Sequence, residues 1–359
     1  MRVVVAGGGV AAAECLLALR ELAGERARLT LVAPEREFVL RPLRVAEPFS
    51  TGHVLSRPVA ELAEAAGAEL VVDALASVAP ERRAARLAQG GAVGYDALVL
   101  AVGARRRTAY ARAITFTGER RSTVYNGLLA DLDERWTTSV AFVVPPGTTW
   151  PLPLYELALQ TARQARAMGV EEARLTLLTP EPAPLAVFGE RSSRVVAALL
   201  AEAGIDFVGG VEVEPDAEGR LRHAGGPVAA QRVVALPTLE GPHIPGVPGD
   251  REGFIRVDDH GRVEGLDRVY AAGDGTTVPI KQGGVAAQLA ETIARAIAQA
   301  TGAPVELRPF EPELRAQLLV GEGVQLLPPE GNEPEIRPLD AALKVHGPRL
   351  AEWLRAAAG

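Results

Sequence analysis

Cysteine, lysine and aromatic residues are scarce in this sequence. Its 359 residues contain one cysteine, Cys15. A single thiol excludes an internal disulfide, a CxxC redox pair and any metal site built from several cysteines. Lysine occurs only at Lys281 and Lys344, so nearly all positive charge is arginine and a lysine inside a motif stands out. The formal net charge is −7, and no basic stripe or tail offsets it, so nucleic acid is not an expected partner. No apolar run reaches the roughly 18 residues of a membrane span, and the chain opens directly in a strand pattern without a leader. The expectation is a cytoplasmic protein without stable membrane insertion. Five histidines (His53, His223, His243, His260, His346) show no metal-ligand spacing; each reads as a loop or surface residue, and no metal is expected.

What is present is ample apolar sequence, 48% of the chain, over a length that suggests two or three domains of roughly 100–200 residues. The organising stretch comes first. Residues 3–6 form an apolar strand, Gly7, Gly8 and Gly9 follow, and residues 10–22 read as an Ala-rich helix. Strand, glycine turn and helix make the first half of a dinucleotide-binding βαβ unit. Gly7 turns the chain, Gly9 lets the backbone approach a pyrophosphate, and Ala12 is the third small position, where helix and strand pack. The helix N-terminus then offers free N–H groups and a favourable dipole to the phosphates. The second strand is Arg28–Val32. The acid expected after it to bind a ribose falls on Ala33, so Glu35 is the substitute candidate. Residues 58–66 read as helix, 69–78 as one strand, 87–91 as a hairpin turn, and 95–104 as an apolar strand ending in small residues.

Three stretches in order, GGGVAAAE, YDALVLAVGA and VYAAGDGTTVPIKQGGVAAQLAE, make the chain resemble the FAD-dependent pyridine nucleotide-disulfide oxidoreductase superfamily. The style is that of sulfide:quinone oxidoreductases, flavocytochrome c sulfide dehydrogenases and type II NADH dehydrogenases. The resemblance implies an α/β fold with two Rossmann-like domains, the second inserted in the first, and a small C-terminal α+β cap. The expected division is 1–108 with 247–308 for FAD, 109–246 for the second unit, and 309–359 for the cap. It also implies FAD as cofactor, held by Gly7, Gly9, Val10, Ala11, Ala12, Glu35, Arg41, Pro42, Leu75, Ala101, Val102, Gly103, Gly273, Asp274, Lys281, Gln282, Gly283 and Val285. AVGA matches the family's ATG motif. Gly273-Asp274 matches the GD whose Asp meets the ribityl or phosphate region. On its own, Asp274 reads equally well as a turn-capping residue at a strand end. A helix over 285–300 would aim its N-terminus at the flavin, and Lys281 would add a charge there or else be a solvated surface lysine.

The second unit repeats strand (139–144) and helix (155–168), but the turn between them reads PPGTTWPLPL, residues 145–154, with one glycine and four prolines. Proline has no N–H for a phosphate. Glu181, after the Arg174–Leu178 strand, is the one candidate ribose acid. The nicotinamide site is therefore expected to be lost. Sulfide-oxidising relatives share such a turn but carry paired redox cysteines; here Cys15 lies in the first helix and reads as a small apolar residue. Residues 194–203 read as helix, 205–208 and 233–236 as strands, 242–249 as a Gly/Pro crossover, and 255–258 as the start of the second FAD segment. The cap shows strands at 314–319 and 326–327 and a short charged helix at 346–357, which admits only transient membrane contact. No acid, base or nucleophile stands out. Glu156 and Lys281 are the weak catalytic candidates, and Glu156 reads equally as an exposed first-turn acid complementing its helix dipole. The reading is an FAD-dependent oxidoreductase with non-covalent flavin and small-molecule or protein electron partners, a quinone among them. An NAD(P)H-dependent flavin reductase and an electron-relay subunit without turnover are the alternatives. A homodimer is left open.

Overall fold

The computed structural model describes residues 1–118 and 123–356. Its helices are α1 (Val10–Ala23), α2 (Val59–Ala65), α3 (Thr123–Asp133), α4 (Leu152–Ala167), α5 (Glu190–Glu202), α6 (Gly283–Ala300) and α7 (Pro348–Arg355). Two five-stranded parallel sheets carry the architecture. In the first, the order is Val269–Ala271, Ala97–Leu100, Arg2–Ala6, Arg28–Val32, Ala68–Val71. In the second it is Ile114–Thr115, Arg232–Ala235, Ser139–Val143, Arg174–Leu178, Ile205–Val208. The second sheet lies wholly within the chain segment between two neighbouring strands of the first. Covered on both faces, such strands read as unbroken apolar runs, and Ala97–Leu100 is buried throughout.

The two sheets are wound alike, down to individual bonds. Gly7 N donates to Val32 O (2.8 Å), and Val144 N donates to Leu178 O (2.9 Å). Ala33 N donates to Val71 O and Thr179 N to Val208 O, each at 3.1 Å. Val144 thus stands where the first unit has Gly7, and Thr179-Pro180-Glu181 where it has Ala33-Pro34-Glu35.

α1 and α6 lie against each other over the first sheet, with Leu16, Leu19, Leu289, Ile293 and Ile297 inaccessible to solvent. Alanines between them permit the close approach. A second core joins Phe142, Leu157 and Leu177 of the second unit to Leu318 of the cap. Arg105–Arg107 pairs antiparallel with Thr238–Glu240 where the chain passes between the units. The cap is a three-stranded antiparallel sheet, Ala316–Leu319, Val324–Leu327 and Ile336–Arg337, followed by α7.

Several boundaries differ from the sequence expectation. Residues 69–78 are two strands, Ala68–Val71 in the parallel sheet and Leu75–Ala79 in an antiparallel hairpin layer. Between them the buried Asp73 accepts the N–H groups of Ala74 and Gln89 and turns the chain. α4 starts at Leu152, three residues early, because Pro153 needs no N–H partner in a first turn. α5 extends back to Glu190 and α6 to Gly283. Residues 255–258 form isolated bridges rather than a strand. α7 does not present a free apolar face: Leu350, Trp353 and Leu354 are buried, Trp353 packs edge-on against Phe38, and Arg57 stacks on its ring at 4.2 Å. Each such side chain contributes about 1.5–3 kcal/mol by leaving water. Residue 357, the last of the expected 346–357 helix, lies outside the described ones.

Candidate functional site

The carboxyl ends of the first sheet's strands open into a cleft of about 1230 Å³. Gly7 turns out of its strand with φ +125°, and a Cβ there would stand 2.1 Å from Ala101 O. The neighbouring strand therefore demands a glycine at that position. Gly9 caps α1, and a Cβ on it would meet nothing within 4 Å. No side chain caps α1, and its first turn holds no acid. Its first N–H groups are left for an anion. Glu35 folds back over this turn, its Oε2 3.1 Å from where a Gly8 Cβ would be.

Gly7, Gly9, Val10 and Ala11 line the cleft with Glu35, Arg41, Pro42 and Leu75. Ala101, Val102 and Gly103 line it from the Ala97–Leu100 strand end, and Gly273, Asp274, Lys281, Gln282 and Gly283 from the far edge. Ala12 and Val285 do not line it. Both are buried, Ala12 in the α1 core and Val285 behind the α6 start. Half-buried Asp274 follows the Val269–Ala271 strand. Desolvation pushes its carboxyl above the usual range, opposed by the charges of Arg106, Lys281 and Arg41.

Lys281 is no solvated lysine. Its Nζ donates to Thr276 O and lies 4.2 Å from the centre of the Phe254 ring. Burial lowers its pKa, against the pull of Asp274, Asp250 and Glu252. Gln282 is taken up by the fold: Oε1 accepts from Val285 N (3.1 Å), and Nε2 donates to Arg315 O (2.7 Å). That cap is why α6 begins at Gly283. A Cβ on Gly283 would lie 2.8 Å from Val345 Cγ1, and one on Gly284 2.7 Å from Val345 O. These glycines admit the C-terminal segment, which the sequence motif did not reveal.

Glu156 is not an exposed helix-start acid. It is 1% exposed, lines the cleft, and its Oε1 accepts from Leu319 N (3.0 Å) and from Lys344 Nζ. Lys344 also donates to Gln317 O. Desolvation raises the Glu156 pKa, while Lys344 and the Leu319 N–H hold it back. Sequence reasoning missed Lys344; its only signal was the rarity of lysine. Arg106 and Phe254, also on the cleft wall, carried no motif at all.

In the second unit the strand-to-helix connection takes eight residues, 144–151, where the first takes three, 7–9. Residues Pro146, Thr148 and Trp150 line the cleft. Tyr155, the fourth residue of α4, donates to Glu181 Oε2 (2.7 Å), and Glu181 also accepts from Thr179 Oγ1 (3.1 Å). The fourth residue of α1 is Ala13. The acid equivalent to Glu35 is thus occupied by the protein's own tyrosine.

Cys15 is inaccessible, its thiol pushed up to about 12 by burial and by Glu14. His346 is half-buried rather than at the surface. Asp258, Asp259 and His260 are the one group among the described residues with ligand atoms within 4.8 Å of one another; Asp258 Oδ1 already accepts two backbone N–H groups in a turn. Among the described residues no helix is long and apolar enough to cross a membrane.

Comparison with curated protein sequences gives no match. Among solved structures the fold is similar to the sulfide:quinone oxidoreductase of Aquifex aeolicus, with TM-score 0.78 and 20% identity over 99% of this chain and 90% of that one. It is similar to a NAD-dependent persulfide reductase from A. fulgidus, with TM-score 0.62 and 20% identity over 91% of this chain and 63% of that one. The ferredoxin reductase of the CYP199A2 system from Rhodopseudomonas palustris gives TM-score 0.64 and 20% identity over 90% and 81%. The profile of the pyridine nucleotide-disulphide oxidoreductases matches residues 1–300. With that match over most of its length and two like-wound parallel sheets behind one cleft, the chain belongs to the pyridine nucleotide-disulphide oxidoreductase family of flavoprotein oxidoreductases.

Proposed function

We propose that this chain is an oxidoreductase that holds FAD without a covalent bond and takes its electrons from a donor other than NAD(P)H. One observation carries the reading: the uncapped start of α1 opens on the same cleft as Asp274, Arg41 and Lys281. The donor set suits the group. Free N–H groups and Arg41 match a pyrophosphate; Glu35 and Asp274 are acceptors for ribose and ribityl hydroxyls. The bound flavin supplies the redox chemistry. The chain's part is to bind it, exclude water and offer charge. The start of α6 and Lys281 favour negative charge nearby. Glu156, its Oε1 fixed by Lys344 and Leu319, is the carboxylate at the cleft wall that would hold or release a proton. The division into 1–108 with 247–308, 109–246 and 309–359 belongs to the same proposal.

Loss of the nicotinamide site is supported by three features of the second unit. Val144 replaces the turn glycine, four prolines remove N–H donors, and Tyr155 occupies Glu181. An anaerobic absorbance spectrum before and after NADH tests the proposal. The expected result is an oxidised flavin band that NADH leaves unchanged. Rapid bleaching would overturn the nicotinamide reading, and no flavin band after FAD is added back would overturn the cofactor.

A further inference from the structure

Glu14 and Glu156 occupy the same place in their units. Each is the fifth residue of the helix that follows the turn, α1 in the first unit and α4 in the second, and each is inaccessible to solvent or nearly so. Both carboxylates reach the C-terminal part of the chain. Glu156 Oε1 accepts from Leu319 N and from Lys344 Nζ. Glu14 Oε2 accepts from Leu350 N (2.9 Å) and Oε1 from Arg349 N (3.3 Å), with the Arg349 guanidinium 3.6 Å away. Glu14 thereby caps α7, whose own N-cap residue, Gly347, has no side chain to do so. The segment between these two grips fits closely. A Cβ on Gly347 would stand 2.9 Å from Glu14 Oε2, and Val345 sits against Gly283 and Gly284 at the start of α6. Arg349 also donates to Glu21 of α1 (2.6 Å) and lies 3.6 Å from Glu291 of α6. Lys344 and Val345 line the cleft, whereas Glu14 and Arg349 do not.

Resting on the cofactor reading above, we infer that residues 344–350 are a clasp that fastens the two units together at the flavin cleft, and that Glu14 and Arg349 are positioning residues for the flavin although neither lines the cleft. The clasp is either seated or released, because a half-seated segment would leave a buried carboxylate without its cation and N–H donors. Lys344 and Arg349 are joined by at most about 18 Å of extended chain, so loss of the Arg349 grip is felt at the cleft wall. A flavin resting on Lys344 and Val345 binds the seated state better than the released one. By linkage, flavin binding then stabilises the seating of α7 on α1 by the same factor by which seating strengthens flavin binding.

The test uses the full chain, flavin-free and loaded with FAD. Hydrogen exchange read by mass spectrometry follows the amides of α7 and, for comparison, those of α5, which packs on the Ile205–Val208 strand of the second sheet. FAD is expected to slow exchange in α7 at least about fivefold more than in α5. In Arg349→Met, release of FAD, followed by the rise in flavin fluorescence, should be roughly five- to tenfold faster, and Arg349→Lys should restore part of the difference. The exchange comparison on the unaltered chain stands even if Arg349→Met does not fold. Equal slowing of α5 and α7 would overturn the clasp. So would unchanged FAD release from a folded Arg349→Met with a lowered melting temperature, which would leave Arg349 a stabilising residue only. Failure of the unaltered chain to take up FAD would instead remove the cofactor reading on which the clasp rests.

Discussion

The Tyr155 hydroxyl donates to Glu181 Oε2 at 2.7 Å and accepts from Leu185 N at 3.4 Å. The pair closes the second unit at the place where the first leaves Glu35 facing its cleft. Tyr155→Phe removes the donor from a half-buried carboxylate and should cost about 1–3 kcal/mol of stability. It should not create NADH reduction, because the prolines still withhold N–H groups. Urea denaturation and an anaerobic NADH titration of the variant check both halves; NADH bleaching in Tyr155→Phe would assign the block to this tyrosine alone.

Lys344 and Glu156 form a nearly inaccessible ion pair, with side-chain exposures of 3% and 1%. Lys344→Met leaves a buried carboxylate with its Leu319 N–H and no counter-charge, and should cost about 3–5 kcal/mol. Adding Glu156→Gln should recover much of this, since the amide oxygen still accepts from Leu319 N. Thermal melts of the single and double variants form the test. Additive losses would show that the pair is not coupled as described.

The two turn glycines should behave differently. Gly7→Ala forces a Cβ against Ala101 O at a strained φ, so the variant is expected to be unstable or insoluble. Gly9→Ala meets open space in the protein and should fold with an unchanged melting temperature, yet bind FAD more weakly. Flavin content per protein, measured alongside circular dichroism, separates the two effects.

Asp274→Ala is expected to lose FAD during purification, because it removes a hydroxyl acceptor at the cleft and leaves Arg106, Lys281 and Arg41 around an apolar methyl group. Full retention of flavin by a folded variant would count heavily against the assignment.

Asp96, just before the interior strand Ala97–Leu100, ties it to Arg2 at the start of the neighbouring strand. The Arg2 guanidinium, then the Arg2 backbone N–H, hold its carboxyl down at about 2. A depressed carboxyl contributes stability above its unfolded pKa near 4 and loses it as the pH falls toward 2. The pair is partly exposed, which keeps its contribution small. Asp96→Asn should flatten the fall in melting temperature between about pH 4 and 2. An unchanged slope would show that other carboxylates set it.

Local sequence determined the framework. Period and composition fixed Arg2–Ala6, α1 and Arg28–Val32 because a strand–glycine–helix turn is specified within some thirty residues by φ restrictions and close packing. The proline-rich composition of the second turn was legible for the same reason: prolines abolish N–H groups wherever they fall. The tertiary structure alone decided what depends on distant partners. Gly283 and Gly284 serve Val345, some sixty residues away; Gln282 caps its helix and ties Arg315; Glu156 is an interior anion because Lys344 reaches it across 188 positions. Burial and pairing between such remote positions set pKa and accessibility, and no local periodicity encodes them.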